Sequence, residues 1–243
     1  MRHAASLIFR SLLILSVGAA GARANDTDRD RRTFDLAPRS TVEIAGIAGS
    51  VEIKTTRGIR AEVEVVRNAP THEDLECGAV VIEQAGTTLR IRSVDKCEIV
   101  RMTVSVTLSV PADADLSLRN IAGHVRIGST NGLVRLDSIA GHVEAVELRE
   151  AKISSLAKGL NMTVSALGDR GITVSTVTGG IDLGVRAGVN ATLVVRSLAG
   201  RFQNDLAGVE PFLDGGQDHR AVLGRGGGKI EIDRVVGNLR IHG

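Results

Sequence analysis

Residues Leu118–Arg126 (LRNIAGHVR) and Leu136–Glu144 (LDSIAGHVE) are identical at six of nine positions, at an offset of 18 residues. Halfway between them lies Ser129–Leu136 (STNGLVRL), so the smaller unit is nine residues long, with Gly123, Gly132 and Gly141 in strict register. Its form is a turn glycine followed by alternating aliphatic residues. Looser copies occur at Ser155–Gly159, Ser175–Gly179 and Ser197–Gly200, and Gly228 and Gly237 are again nine apart. Gly46–Ile53, which contains Gly49, carries the same unit upstream. Self-similarity at a fixed short period is the mark of a repeat architecture, because one strand and one turn cannot bury an apolar face alone.

The repeat predicts that residues 18 apart lie above one another on successive turns. Val125 then sits over Val143, Ile121 over Ile139 and Gly123 over Gly141. The same register places Arg126 over Glu144 and Arg119 over Asp137, opposite charges both times. The expected fold is all-β: a right-handed single-stranded β-solenoid, β-helix-like, with nine-residue half-coils and about 18–22 residues per coil, preceded by a small antiparallel N-terminal section. Period-two alternation supports the strand reading. Met102, Val104, Val106, Leu108 and Val110 alternate with Thr103, Ser105, Thr107 and Ser109, and longer strands are expected around Val63, Val81, Leu89 and Val104. Glu210–Gly228 has no strand pattern and reads as a surface loop.

The first 24 residues read as a cleaved signal peptide. Arg2 and Arg10 bracket a basic segment, Ser11–Ala22 is a short apolar run, and Ala22-Arg23-Ala24 offers small residues at a cleavage site. The run is too short to span a bilayer, and no later stretch approaches twenty apolar residues. Residues 25–40 read as a flexible lead-in segment, since NDTDRDRR has no apolar period, and residues 41–243 as one β-solenoid domain. Removing Arg2, Arg10 and Arg23 takes the formal charge from +2 to −1. A near-neutral chain without Trp or Tyr offers neither a basic footprint nor a stacking surface for nucleic acid.

With these motifs in place, the chain resembles a known group. The Gly-x-Val-x-Ile units, the Val-Thr-Leu-Ser-Val-Pro111 segment and the terminal Gly-x-Leu-x-Ile are similar to the putative-adhesin β-solenoid domain of exported and membrane-attached bacterial proteins, a domain of unknown function. The resemblance covers roughly Thr41 to His242. It implies an exported location, in the periplasm or at the cell surface, and no catalytic residues. The Cys pair in the N-terminal section departs from it.

Cys77 and Cys97 flank two candidate strands, Ala79–Gln84 and Thr88–Val94, joined by a turn at Ala85-Gly86. A hairpin brings both cysteines to one end of the ladder, so a structural disulfide is expected. His124 and His142 occupy equivalent places on successive coils and point outward. Two stacked imidazoles are a candidate ladder for a soft divalent metal, although no third ligand falls in register and a solvated ladder is the favoured reading. Gly224–Lys229 (GRGGGK) lacks the Ser or Thr and the helix that a phosphate loop needs. Asp137, Glu144, Asp169, Asp182 and Asp205 share no register, which argues against the paired carboxylates of a glycosidase. The sequence therefore predicts no catalytic site, no metal and no cofactor. It points to a non-enzymatic adhesin-like or scaffold protein that binds a protein partner in the cell envelope. The alternatives are a carbohydrate-active β-helix enzyme and an envelope-stress accessory protein.

Overall fold

Each turn of the chain places aliphatic residues inward at every second position and polar residues outward, and the fold follows from stacking those turns. The computed structural model describes residues 25–206, 212–214 and 218–243; segment 1–24, expected from the sequence to be a signal peptide, lies outside the described residues, as does Pro211. The strands in chain order are β1 (Asp26–Asp35), β2 (Thr41–Ile47), β3 (Val51–Thr56) and β4 (Arg60–Ala69), then helix α1 (His72–Glu76). They continue with β5 (Gly78–Ala85), β6 (Thr88–Asp95), β7 (Thr103–Pro111), β8 (Asp115–Ile121), β9 (Val125–Ile127), β10 (Leu133–Ile139), β11 (Val143–Leu148) and β12 (Glu150–Leu156). The remainder are β13 (Leu160–Val164), β14 (Ile172–Val177), β15 (Ile181–Val185), β16 (Ala191–Ala199), β17 (Phe202–Asn204), β18 (Phe212–Asp214), β19 (Asp218–Leu223), β20 (Gly228–Val236) and β21 (Leu239–His242).

The protein is all-β, with two mixed sheets. One runs β1-β4-β7-β3-β9-β11-β13-β15-β21-β17 and the other β18-β19-β16-β20-β14-β12-β10-β8-β2-β6-β5. From β8 to β15 the chain alternates between the sheets and advances one parallel strand at each return. The predicted register is observed: Val125 pairs with Val143, Ile121 with Ile139, Arg126 with Glu144 and Arg119 with Asp137. Between the sheets lies one apolar core. Leu116, Leu118 and Ile121 on β8 continue into Val134, Leu136 and Ile139 on β10 and into Ala151, Ile153 and Leu156 on β12, all buried.

In the second sheet the alternation breaks in the same way on each of β2, β8, β10, β12, β14 and β20. Two outward residues follow one another before the last inward one, as at Ala45-Gly46 before Ile47 and Asp137-Ser138 before Ile139. Three of these bends stack with positive φ: Gly46 at 68°, Asn120 at 55° and Ser138 at 58°. The left-handed conformation suits Gly and Asn and is uncommon for Ser.

Strand order departs from chain order at both ends. The β2–β3 turn lies between β6–β7 and β8–β9, and the β20–β21 turn is inserted between β14–β15 and β16–β17. The repeat carries no information about order, so a purely sequential stack was expected. The N-terminal antiparallel pairs also belong to different sheets: β4 pairs with β7 in one, and β5 with β6 in the other.

Residues 25–40 do not form a flexible lead-in. Asp26–Asp35 is a ten-residue strand, antiparallel to β4 along its whole length. Backbone pairing needs no apolar alternation, and the charges that hid the strand stabilise it. Arg31 pairs with Glu62 at 2.6 Å and Arg29 with Glu64 at 3.4 Å. The Glu210–Gly228 loop is likewise corrected, since β19 pairs antiparallel with β16 and β18 with β19.

The outer edge of β5 is covered from across the core. Arg67 of β4 donates to the carbonyls of Gly78 at 2.6 Å and Leu75 at 3.2 Å, and to Asp28 of β1. Arg32 of β1 reaches the carbonyl of Ile82 at 3.5 Å. Unpaired edge carbonyls invite another strand, and here two guanidiniums occupy them. The short helix α1, which shows no helical period, is capped by the Thr71 hydroxyl accepting the Asp74 N–H at 3.2 Å.

Candidate functional site

The corner that leads from the second sheet into the first is built of backbone alone. Gly49, Gly123, Gly141, Gly200 and Gly237 all lie there, packed glycine on glycine. A Cβ on Gly123 would overlap the Gly49 carbonyl, one on Gly141 the Gly123 carbonyl, and one on Gly200 the Gly237 carbonyl. Gly132 and Gly228 occupy the opposite corner, against the carbonyls of Ala114 and Asn190. The nine-residue half-unit thus alternates between two corners.

Immediately after this spine the chain enters the outer face of the first sheet, and the residues there are polar and stacked. His124 is exposed and His142 half-buried. The His142 ring takes the space that a side chain at Gly159 would need. Two residues further on, one outward ladder runs through Thr107, Glu52, Arg126, Glu144, Asn161, Asp182, Arg240 and Gln203 on neighbouring strands. Its charges are held locally: Arg126 to Glu144 at 2.8 Å, and His242 to Asp182 at 2.9 Å. Arg240 leans to Asp205 at 2.7 Å. Hydrogen bonds from Gln203 first and Arg240 second hold the Asp205 carboxyl below the ordinary carboxylate range.

A shallow groove of about 480 Å³ opens in this face, where the short side chains of Ser50, Ser105 and Thr107 lie beside His124, His142 and the Arg126–Glu144 pair. Among the described residues no hydrogen bond joins Ser50 or Ser105 to either imidazole. Nor do three or more His, Cys, Asp or Glu side chains gather to hold a metal ion among the described residues.

One cleft was not read from the sequence. Asp113, Asp115, Glu150 and Asp169, from successive turns, line a common opening at the Gly132 corner together with Arg39 and Arg170. Three of these carboxylates serve the backbone. Asp115 accepts the Leu133 N–H at 2.9 Å, Glu150 the Arg170 N–H at 3.3 Å and Asp113 the Arg39 N–H at 3.3 Å. The spacing of 18 between Asp115 and Leu133 was the available signal.

Cys77 and Cys97 are joined in a disulfide, with Cα atoms 5.1 Å apart. Cys77 follows α1 and Cys97 follows β6, and the Lys96 N–H donates to the Cys77 carbonyl at 2.8 Å. No helix among the described residues is long and apolar enough to cross a membrane.

No protein-family model matches the chain, and no curated protein matches it by sequence. Among solved structures it is similar to a putative cell adhesion protein from Clostridium sporogenes, with 10% identity, 88% of this chain and 99% of that one covered, and a TM-score of 0.44. It is also similar to a putative adhesin from Bacteroides fragilis (12% identity, 88% and 97% covered, TM-score 0.33). A third is a putative lipid binding protein from Parabacteroides distasonis (11% identity, 88% and 96% covered, TM-score 0.30). Likeness at this level transfers no site residue from those proteins to this chain.

Proposed function

We propose that this chain is an exported, non-enzymatic adhesin-like or scaffold protein, built as a right-handed β-solenoid of the adhesin-type family. It binds a protein partner in the cell envelope through the outer face of the first sheet. The observation that supports the reading is the outward ladder from Thr107 to Gln203, a continuous polar strip with a groove at His124 and His142. A row of charges at strand spacing steers and registers a complementary partner more than it adds raw affinity. Of the four carboxylates that line the Gly132 corner, Asp113, Asp115 and Glu150 each accept a backbone N–H and so hold the turns there. Export is supported by the Cys77–Cys97 disulfide, since such bonds persist in oxidising compartments.

The test is site-specific photo-crosslinking in intact cells, with the crosslinker at position 105 or 161 on the proposed face and at position 152 or 173 on the outer face of the other sheet. The expected result is one discrete product from the first pair alone, lost in an Arg126→Glu, Glu144→Arg background. Equal products from both faces, or hydrolysis of envelope glycans by the purified protein, would overturn the reading. Protease shaving of the same cells, with a periplasmic marker as control, separates surface display from a periplasmic scaffold.

A further inference from the structure

A second polar cleft, of about 250 Å³, lies at the corner where the first sheet turns into the second. It is assembled from four separate turns of the chain: Thr55 and Arg57 around the end of β3, Ser129 and Asn131 between β9 and β10, Glu147 and Arg149 around the end of β11, and Ser165 after β13. Among the described residues neither Arg57 nor Arg149 has a carboxylate within ion-pair distance. Glu147, which also lines the cleft, has Arg186 on its other side at 3.8 Å, a loose pair open to solvent. The cleft therefore holds two unpaired guanidiniums among hydroxyl and amide donors.

We propose that this cleft is an oxyanion site that takes a phosphate group, free or esterified. Guanidinium groups present several fixed N–H donors and favour phosphate and carboxylate oxygens. The donors lining the cleft come from different turns, and both arginines are exposed at its rim. That arrangement suits a tetrahedral, multiply charged acceptor better than a planar carboxylate, which one guanidinium would bind edge to edge. The turns are held independently of any ligand: the buried Thr130 hydroxyl donates to the Ala112 carbonyl at 3.1 Å and accepts the Gly132 N–H at 3.2 Å. The cleft is thus formed before anything binds, which lowers the cost of ordering on binding. It lies apart from the His124–His142 groove, so it stands or falls separately from the partner-binding reading.

The experiment is calorimetric titration of the purified, disulfide-intact protein with inorganic phosphate and with glycerol 3-phosphate, and co-sedimentation with vesicles containing phosphatidic acid against neutral vesicles. Saturable binding that weakens with added salt is expected. Arg57→Ala and Arg149→Ala should each weaken it about tenfold or more. Arg149→Lys, which keeps the charge and loses the fork, should fall between. Glu147→Gln should strengthen binding, because it removes the carboxylate without touching either arginine. Equal binding of the two soluble ligands assigns a free phosphate or soluble ester, and binding on vesicles alone assigns a lipid headgroup. No binding in any arm, or binding unchanged in both alanine variants, overturns the proposal.

Discussion

Arg126 and Glu144 face each other on adjacent parallel strands, eighteen residues apart in sequence, with the guanidinium Nε and Nη2 both donating to one carboxylate oxygen at 3.0 and 2.8 Å. Arg126 is exposed and Glu144 half-buried, still open enough to solvent that the pair marks the register more than it stabilises the fold. Removing it should cost about 0.2–1 kcal/mol. Denaturant unfolding of Arg126→Ala, Glu144→Ala and the double variant should give a coupling energy inside that range, shrinking with added salt.

The glycine spine should behave differently. Gly141 has no room for a methyl group against the Gly123 carbonyl, which is main chain in the corner between β8 and β9 and cannot swing aside as a side chain could. Gly86, in the β5–β6 turn at φ 57°, has open space around it. Gly141→Ala is expected to cost ~3 kcal/mol or more, through overpacking against backbone. Gly86→Ala should cost about 1–2 kcal/mol, the penalty of a left-handed alanine. Thermal unfolding of the two variants compares them directly. Similar losses would contradict the packing assigned to the spine.

Reducing Cys77–Cys97 opens a loop with a sequence separation of 20. A loss of about 3 kcal/mol is expected from loop entropy. Hydrogen exchange should rise first in α1, β5 and β6, the elements the bond ties together, while β8–β15 stay protected. Uniform exchange across the whole chain would show that the bond supports the fold globally.

Asp205 and Glu231 both have carboxyls below their ordinary range, Asp205 through Gln203 and then Arg240, Glu231 chiefly through Lys229. A group depressed in the folded state stabilises above its unfolded value and loses that contribution as pH falls through its folded one. The loss should therefore begin below about pH 4, where free carboxylates start to protonate. Asp205 is exposed and Glu231 partly covered, and the effect is small. It is best read by NMR titration of the Asp205 carboxyl, which should move upward in Arg240→Ala and more so in Gln203→Ala.

The turns from β8 to β15 were legible because Gly123, Val125, Gly141 and Val143 repeat the same demand for a tight corner and a buried aliphatic at fixed spacing. The Cys77–Cys97 pairing was legible because a hairpin leaves its flanks no other place to go. Strand β1 was not. DTDRDRRTFD carries charge at most positions, and its partner contributes both the backbone hydrogen bonds and the glutamates that make a strand of it. The Arg57–Arg149 cleft was hidden for a related reason: Thr55, Ser129 and Ser165 are ordinary turn residues singly, and only stacking puts them in one place. Strand order was beyond reach, since every turn offers its neighbours nearly the same apolar face.

That order has a consequence for assembly. Strands β16 and β17 are synthesised before β20 and β21, yet among the described residues β17 pairs in its sheet with β21, and β16 has its parallel neighbour in β20. A stack that grew by simple addition could stop after any turn and be shorter by one. Here, deleting β20 and β21 would open a gap in the interior and strand the turn beyond it, so this end of the molecule closes by a late wedge, all or nothing.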